Sequence, residues 1–246
     1  MREQPEQQAP PVQRLRIRYA KRGRLRFTSH RDFSRAFERA LVRARVPMAY
    51  SSGFNPHPRI SYANAAPTGA ASEGEYLEIG LAETLDPATV LTALDTALPD
   101  GLDVLEVVES PGGSLADRLE ASIWRITVPG LPPEAAQDAV RQFLEAEHVT
   151  VERMTKKGMR SFDCREAVVS LAARSGPDPR ELCAILEVVL RHGTPSVRPD
   201  DVLAGLRDIA GLQAGSAPLH ERLAQGPLDA QNGTVGDPLA HDRDTA

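Results

Sequence analysis

The sequence predicts an α+β fold made of two βαββαβ halves in tandem, the second degenerate at its C-terminal end. Three observations carry that expectation. Segments that alternate polar and apolar residues with period two sit beside apolar stripes at helical spacing. Over roughly 100 residues their order is β-α-β-β-α-β, the ferredoxin-like motif. After a Pro-, Gly- and Ser-bearing boundary at 111–122 the pattern starts again. A chain of 246 residues with 41% hydrophobic content is long enough for one large domain or two small ones, each with its own core.

The expected organisation is a disordered lead (1–13), a first half (14–110), a linker (111–122), a second half (123–228) and a disordered tail (229–246). RLRIRY (14–19) alternates strictly, with Arg14, Arg16 and Arg18 on one face and Leu15, Ile17 and Tyr19 on the other. RLRF (24–27) resumes the alternation after a Lys21-Arg22-Gly23 turn. A helix follows, with Ser29 as N-cap and Asp32 three residues on. Its apolar stripe is Phe33, Phe37, Ala40, Leu41 and Ala44, and Pro47 ends it. Residues 50–62 form a loop leading into RISYA, a short strand. APTGAASEGE (66–75) reads as a loop, EYLEIGLAE (75–83) as a strand, and DPATVLTALDTALP (86–99) as a helix with Asp86 as N-cap and Pro87 at its first position. GLDVLEVVES (101–110) is the last strand of the first half.

In the second half IWRITVPG (123–130) is a strand. PPEAAQDAVRQFLEAE (132–147) is a helix with Val140, Phe143 and Leu144 inward. Residues 149–174 read as a strand, a KKG turn and an apolar continuation. ELCAILEVVLRHG (181–193) is apolar enough for a buried strand, its length also allowing a helix, and RPDDVLAGLRDIAG (198–211) reads as a helix. RLAQGPLD (222–229) is the candidate for a missing edge element.

Net charge is −5, but its distribution is uneven. Residues 14–59 hold thirteen Arg or Lys and two acids, Asp32 and Glu38, so that segment carries +11 and the rest −16. Such asymmetry marks a local anion-binding face. Eight of the eleven aromatics fall within 19–76, overlapping the basic segment. Arginines neutralise phosphates and ring faces stack on bases, so the combination suits single-stranded or looped RNA. Arg31, Arg35, Arg39 and Arg43 recur every four residues and make a slowly drifting ridge on the helix. Tyr19, Phe27, Phe33 and Phe37 have core spacing, whereas Tyr50, Phe54 and Tyr62 flank a loop stiffened by Pro56 and Pro58. The expected binding residues are Arg16, Arg18, Arg24, Arg26, Arg31, Arg35, Arg39, Tyr50, Phe54, Asn55, His57 and Arg59, with tRNA or rRNA as the ligand class.

His30 and His57 are the candidates for acid–base work on a phosphate ester, but no nearby acid completes them. The histidines and glutamates of the first half lack metal-ligand spacing, and Cys164 and Cys183 form no CxxC pair. There is no phosphate-binding loop, dinucleotide fingerprint or nucleophile elbow. The expectation is therefore no cofactor and no metal in this chain. No apolar run is long enough to span a membrane, and MREQPEQQAPPVQ has no apolar signal core, so a cytoplasmic location is expected.

RLRIRYAKRGRLRFTSHRDFSRAFERALVRARVPMAYSSGFNPHPRISYANAAPTGAASEGEYLEI resembles the radical SAM-linked protein family. That bacterial domain of unknown function is encoded beside or fused to a radical SAM protein. The resemblance covers most of 14–228 and is densest at FTSHRD, YSSGFNPHPRIS and SEGEYLEI. It implies a radical SAM enzyme as partner and supplies no catalytic residues. The chain has no CxxxCxxC, so it does not itself hold the radical enzyme's cluster. The first half also resembles, at fold level, the ferredoxin-like RNA-binding modules of CRISPR repeat-processing proteins. The leading expectation is an accessory to a radical SAM enzyme that binds RNA or another anionic substrate through a basic, aromatic-bearing face. The alternatives are a metal-independent phosphodiester-acting enzyme using His30 and His57, and an adaptor that docks the radical SAM partner.

Overall fold

The computed structural model describes residues 7–155, 158–178, 180–213 and 217–244. The chain divides into two compact units, Met1–Arg118 with Pro238–Ala246, and Leu119–Asp237. The architecture is mixed α+β, and every strand pairing within a unit is antiparallel. Among the described residues no helix is long and apolar enough to cross a membrane.

The first unit contains β1 (Gln13–Lys21), α1 (His30–Arg43), β2 (Ile60–Ala63), β3 (Ala71–Leu81), α2 (Pro87–Ala97) and β4 (Val104–Glu109). Strand pairings give the order β4-β1-β3-β2. The alternation in β1 sends Leu15, Ile17 and Tyr19 into the core, where they meet Leu77, Ile79 and Leu81 of β3. Phe33, Phe37 and Leu41 of α1 cover that layer together with Val90 and Leu94 of α2. Ser29 caps α1 by accepting from the Asp32 backbone N–H at 3.2 Å, and its own hydroxyl donates to the Asp32 carboxylate. The lead is partly tied down: the Val12 N–H donates to the Leu81 carbonyl, and the Gln13 side chain brackets the Leu85 backbone. Residues 1–6 of the expected disordered lead lie outside the described residues.

Two expectations in this unit fail. RLRF is not a strand; Gly23–Phe27 is a 3-10 turn. Gly23 adopts φ +52, the Arg22 N–H donates to the Gly101 carbonyl, and the chain then tightens through Leu25 N–H to the Arg22 carbonyl. Phe27 consequently points outward, 60% exposed, rather than joining the core with Phe33 and Phe37. The expected loop at 66–75 ends early, because β3 begins at Ala71 and Ser72 pairs with Lys21.

The second unit contains β5 (Ala121–Pro129), α3 (Pro133–Glu145), β6 (Thr150–Thr155), β7 (Gly158–Asp163), β8 (Val168–Ser175), β9 (Cys183–Arg191), α4 (Pro199–Ala210), β10 (Leu219–Gly226), β11 (Leu228–Asp229) and β12 (Thr234–Val235). Its main strands run β10-β5-β9-β8. The pair β6-β7 is a separate hairpin inserted after α3, in which Thr155 faces Gly158; Lys156 and Lys157 of the expected KKG turn lie outside the described residues. The unit is not degenerate at its C-terminal end, since β10 pairs with β5 along its length. That strand escapes pattern reading because its buried positions include Arg222 and Gln225 rather than apolar residues. Leu144 also departs from expectation, lying at the surface while Val140 and Phe143 face inward.

The expected disordered tail is ordered over its described part. After β12 the chain returns to the first unit and ends in a short helix, α5 (Ala240–Arg243). Leu239 and Asp242 are fully buried there. Polar composition suggested disorder, but the Asp242 charge is matched by Arg16, 226 positions earlier.

Candidate nucleic-acid interface

The basic segment does not form one face. Residues 60–117 contain eleven Asp or Glu and no Lys or Arg, so their −11 offsets the +11 of residues 14–59. Much of this compensation falls on β3, β4 and the turn before β4, beside β1. Arg14 pairs with Glu78 at 3.0 Å, Arg16 with Glu78 at 3.1 Å, and Arg22 with Glu73 and Asp103. The hydrogen bond to Glu73 is the main reason the Arg22 pKa rises further. Arg18 is half-buried and donates through Nε to the Glu73 carbonyl at 3.0 Å.

Arg16 departs furthest from the expected role as a surface contact. It is 0% exposed. Its Nε donates to Glu78, its Nη1 to both Asp242 oxygens at 3.0 and 2.8 Å, and its Nη2 to the carbonyls of Gly112 and Gly113. All five guanidinium donors are therefore used. A buried cation needs this degree of compensation.

The helix arginines behave differently. Arg31, Arg35 and Arg39 are exposed and, among the described residues, make no ion pair or hydrogen bond. Four residues of helix advance about 6 Å, so the three heads form a row with a slow angular drift. Arg35, Arg39 and Arg43 surround exposed Val42 in an open depression that also includes Glu38. Arg43 is partly committed, donating to the Ala97 carbonyl at the end of α2. Arg24 is exposed and likewise unpaired among the described residues. Arg26 stacks over the exposed Phe27 ring at 4.5 Å and donates to the Gly23 carbonyl.

The loop before β2 is closed at its base. The Ser51 N–H donates to the His57 carbonyl, and the His57 N–H donates to Ser51 Oγ at 3.0 Å. Tyr50 bridges to Pro58, and Arg59 Nε donates to the Tyr50 carbonyl. Arg59 is therefore a brace within the loop rather than a free contact. Gly53 at φ +132 turns the tip, where Phe54 is 67% exposed and Asn55 and His57 also face solvent. Tyr50 is exposed beside them, whereas Tyr62 is in β2, packed edge-on against His30 at 4.9 Å and against Phe33. Burial pushes the Tyr62 phenol up.

His30 opens α1 and rests on Tyr62; His57 sits in the loop before β2. Five residues of largely extended chain, on the order of 16 Å, separate His57 from Tyr62. No contact joins the two histidines among the described residues. No group of three His, Cys, Asp or Glu among the described residues could hold a metal ion.

In the second unit the Asp163 carboxylate accepts from the Val149 and Arg165 N–H groups, both at 2.9 Å, and meets His148 Nδ1 at 2.8 Å. Asp163 thus meets Arg165 through backbone, and the Arg165 side chain donates to the Val168 and Leu144 carbonyls. Cys164 is buried, and burial pushes its thiol up to about 12, so it is a packing residue rather than a nucleophile. Sequence reasoning missed Asp242, Arg118 and the outward Phe27. For the first two no local signal exists, because Arg118 and Asp242 meet across 124 positions.

Residues 14–199 match the family described as an uncharacterized protein conserved in bacteria, DUF2344, and the chain belongs to that family. No curated protein matches. Among solved structures, the chain has 15% identity to an unknown protein from Galdieria sulphuraria, with a TM-score of 0.24, covering 85% of this chain and 98% of that one. It has 11% identity to the encapsulated DyP-type peroxidase of Mycobacterium smegmatis, with a TM-score of 0.20, covering 90% and 94%. Likeness at this level carries no argument about fold or function.

Proposed function

We propose that this protein is a non-catalytic accessory that binds RNA, of the tRNA or rRNA class, and serves a radical SAM enzyme in the cytoplasm. The observation that carries the RNA reading is the row of unpaired Arg31, Arg35 and Arg39 on α1, in a unit where Arg14 and Arg16 of β1 are held by acids. The exposed rings of Phe27, Tyr50 and Phe54 on the same unit support it, since base stacking needs rings that face solvent. The radical SAM partnership rests on the sequence resemblance alone. We read the strand orders β4-β1-β3-β2 and β10-β5-β9-β8 as two ferredoxin-like arrangements, the second interrupted by the β6-β7 hairpin. The separation of His30 from His57 favours binding over phosphodiester chemistry.

The test is titration of total tRNA with the full chain and with an Arg31→Gln/Arg35→Gln/Arg39→Gln variant at low salt. Losing three phosphate contacts should weaken binding roughly tenfold or more, across all tRNA sequences alike. A Phe54→Ala variant should lose about 1–3 kcal/mol if a base stacks on that ring. Equal affinity of the wild type and the triple variant removes α1 as the contact.

A further inference from the structure

The Arg16 site is a built anion receptor filled by the chain's own end. Arg16 Nη1 and Arg118 Nη1 converge on one carboxylate, Asp242, at 2.8–3.0 Å. Arg118 Nη1 also donates to the Pro238 carbonyl, and the Gly112 and Gly113 carbonyls hold Arg16 Nη2 in place. Among the described residues Arg14, Arg16 and Arg118 pair with two acids, Glu78 and Asp242. Without Asp242 the site would keep three cations and one acid.

The occupant is short. Leu239 is buried, Asp242 fills the cradle, and Arg243 pairs with Glu106 of β4; the helix that carries them is four residues long. Arg16, Glu78, Gly112, Gly113 and Arg118 all lie inside the span matched by the family, 14–199, and Asp242 lies outside it.

We propose that residues 238–244 are a detachable strap, and that the Arg16–Arg118 cradle beneath it is a phosphate-binding site. A phosphodiester carries the same single charge as the Asp242 carboxylate and offers acceptor oxygens to the same two Nη1 groups. The strap then regulates the nucleic-acid surface of the first unit by masking one of its contacts. This consequence rests on the RNA reading given above; the cradle and its strap do not.

The experiment uses the full chain with the strap released by Leu239→Ser/Asp242→Asn, and separately with Asp242→Asn alone, which leaves Leu239 seated. A fluorescent peptide of residues 238–246 should bind the double variant and not the wild type. Inorganic phosphate should displace it, and adding Arg118→Gln should abolish its binding. Released variants should bind total tRNA roughly three- to tenfold more tightly than the wild type, with a steeper salt dependence. Equal tRNA affinity of released and strapped chains overturns the masking. Absence of tRNA binding to every chain overturns the RNA reading instead, and peptide displacement by phosphate then decides the cradle alone. If the double variant does not fold, the single variant decides on phosphate alone: inorganic phosphate should raise the Tm of Asp242→Asn more than that of the wild type, and an equal effect on the two overturns the cradle.

Discussion

His148 and Asp163 show what one exposed pair does when its partners are fixed by backbone. The hydrogen bond that His148 donates to Asp163 raises the His148 pKa above 6.5. Burial works to raise the Asp163 carboxyl, but bonds from His148, Val149 and Arg165 outweigh it and hold the group below 3.8. A raised histidine stabilises the fold fully below its unfolded pKa and loses that contribution as pH climbs through its folded value. A lowered carboxylate stabilises above its unfolded pKa and loses its contribution as pH falls. The two windows overlap between the ordinary values of 3.8 and 6.5. The Tm difference between wild type and His148→Gln should therefore peak inside that window and shrink at alkaline pH. His192 and His220 have pKa values lowered by burial and lose stability on acidification, but in both chains alike, so the difference cancels them. A difference that stays constant from acid to alkaline pH would show that the pair does not form. His192 illustrates the neutral case: Nδ1 faces the Leu119 carbonyl and Nε2 faces Ser122 Oγ, which also accepts from Trp124 Nε1. A neutral ring that donates through Nδ1 and accepts from Ser122 satisfies every member of that chain.

At the scale of elements, α4 is placed by a glycine that propensity would reject. A Cβ on Gly205 would lie 2.8 Å from Phe143 and from Val149, and 3.1 Å from the Cys164 sulfur. Gly205→Ala should gain up to about 1 kcal/mol of helix propensity. Overpacking a filled core costs about 1–3 kcal/mol, and the two nearest neighbours are buried side chains with no free end to move. The expected outcome in urea denaturation is a net loss on the order of 1 kcal/mol with an unchanged m-value. A stabilised variant would mean that α4 stands off from α3. The elements around it were readable to different degrees. The helices α1, α2, α3 and α4 announce themselves by stripe and cap, and β1 by alternation, because their buried faces are apolar. The turn at Gly23–Phe27 was not readable, since its bonds run to Gly101 and its alternation mimics a strand. Nor was β10, whose buried Arg222 lies 5.5 Å from the Trp124 ring centroid and donates to Gln225. The loop expected at 50–62 was legible as a loop up to β2 because its prolines and glycine are local; the role of Arg59 as its brace was not, because that depends on a bond closed by the fold.

For the whole molecule the charge ledger decides what can be bound. A net charge of −5 would repel an anionic polymer, and the +11 of residues 14–59 is offset in full by the −11 of residues 60–117. What matters is which arginines the fold spends on its own acids. Arg14, Arg16 and Arg22 meet Glu73, Glu78, Asp103 and Asp242, while Arg24, Arg31, Arg35, Arg39 and Arg45 meet none among the described residues. Arg24 and the three arginines of the α1 row, four cations taken as the contact set, fix a quantitative expectation. Each phosphate neutralised on a single strand contributes about −0.7 to the slope of log affinity against log salt, so the full chain should show a slope near −3. Replacing Arg35 with Gln should reduce that slope by about 0.7, and replacing Arg16 with Lys should leave it unchanged while lowering Tm, because Lys has three donors for a site that uses five. A slope near −9 would instead mean that the strand arginines are exposed and the β3 and β4 acids do not hold them. Binding with no salt dependence would place recognition on the rings of Phe27, Tyr50 and Phe54 and leave the α1 row without a ligand.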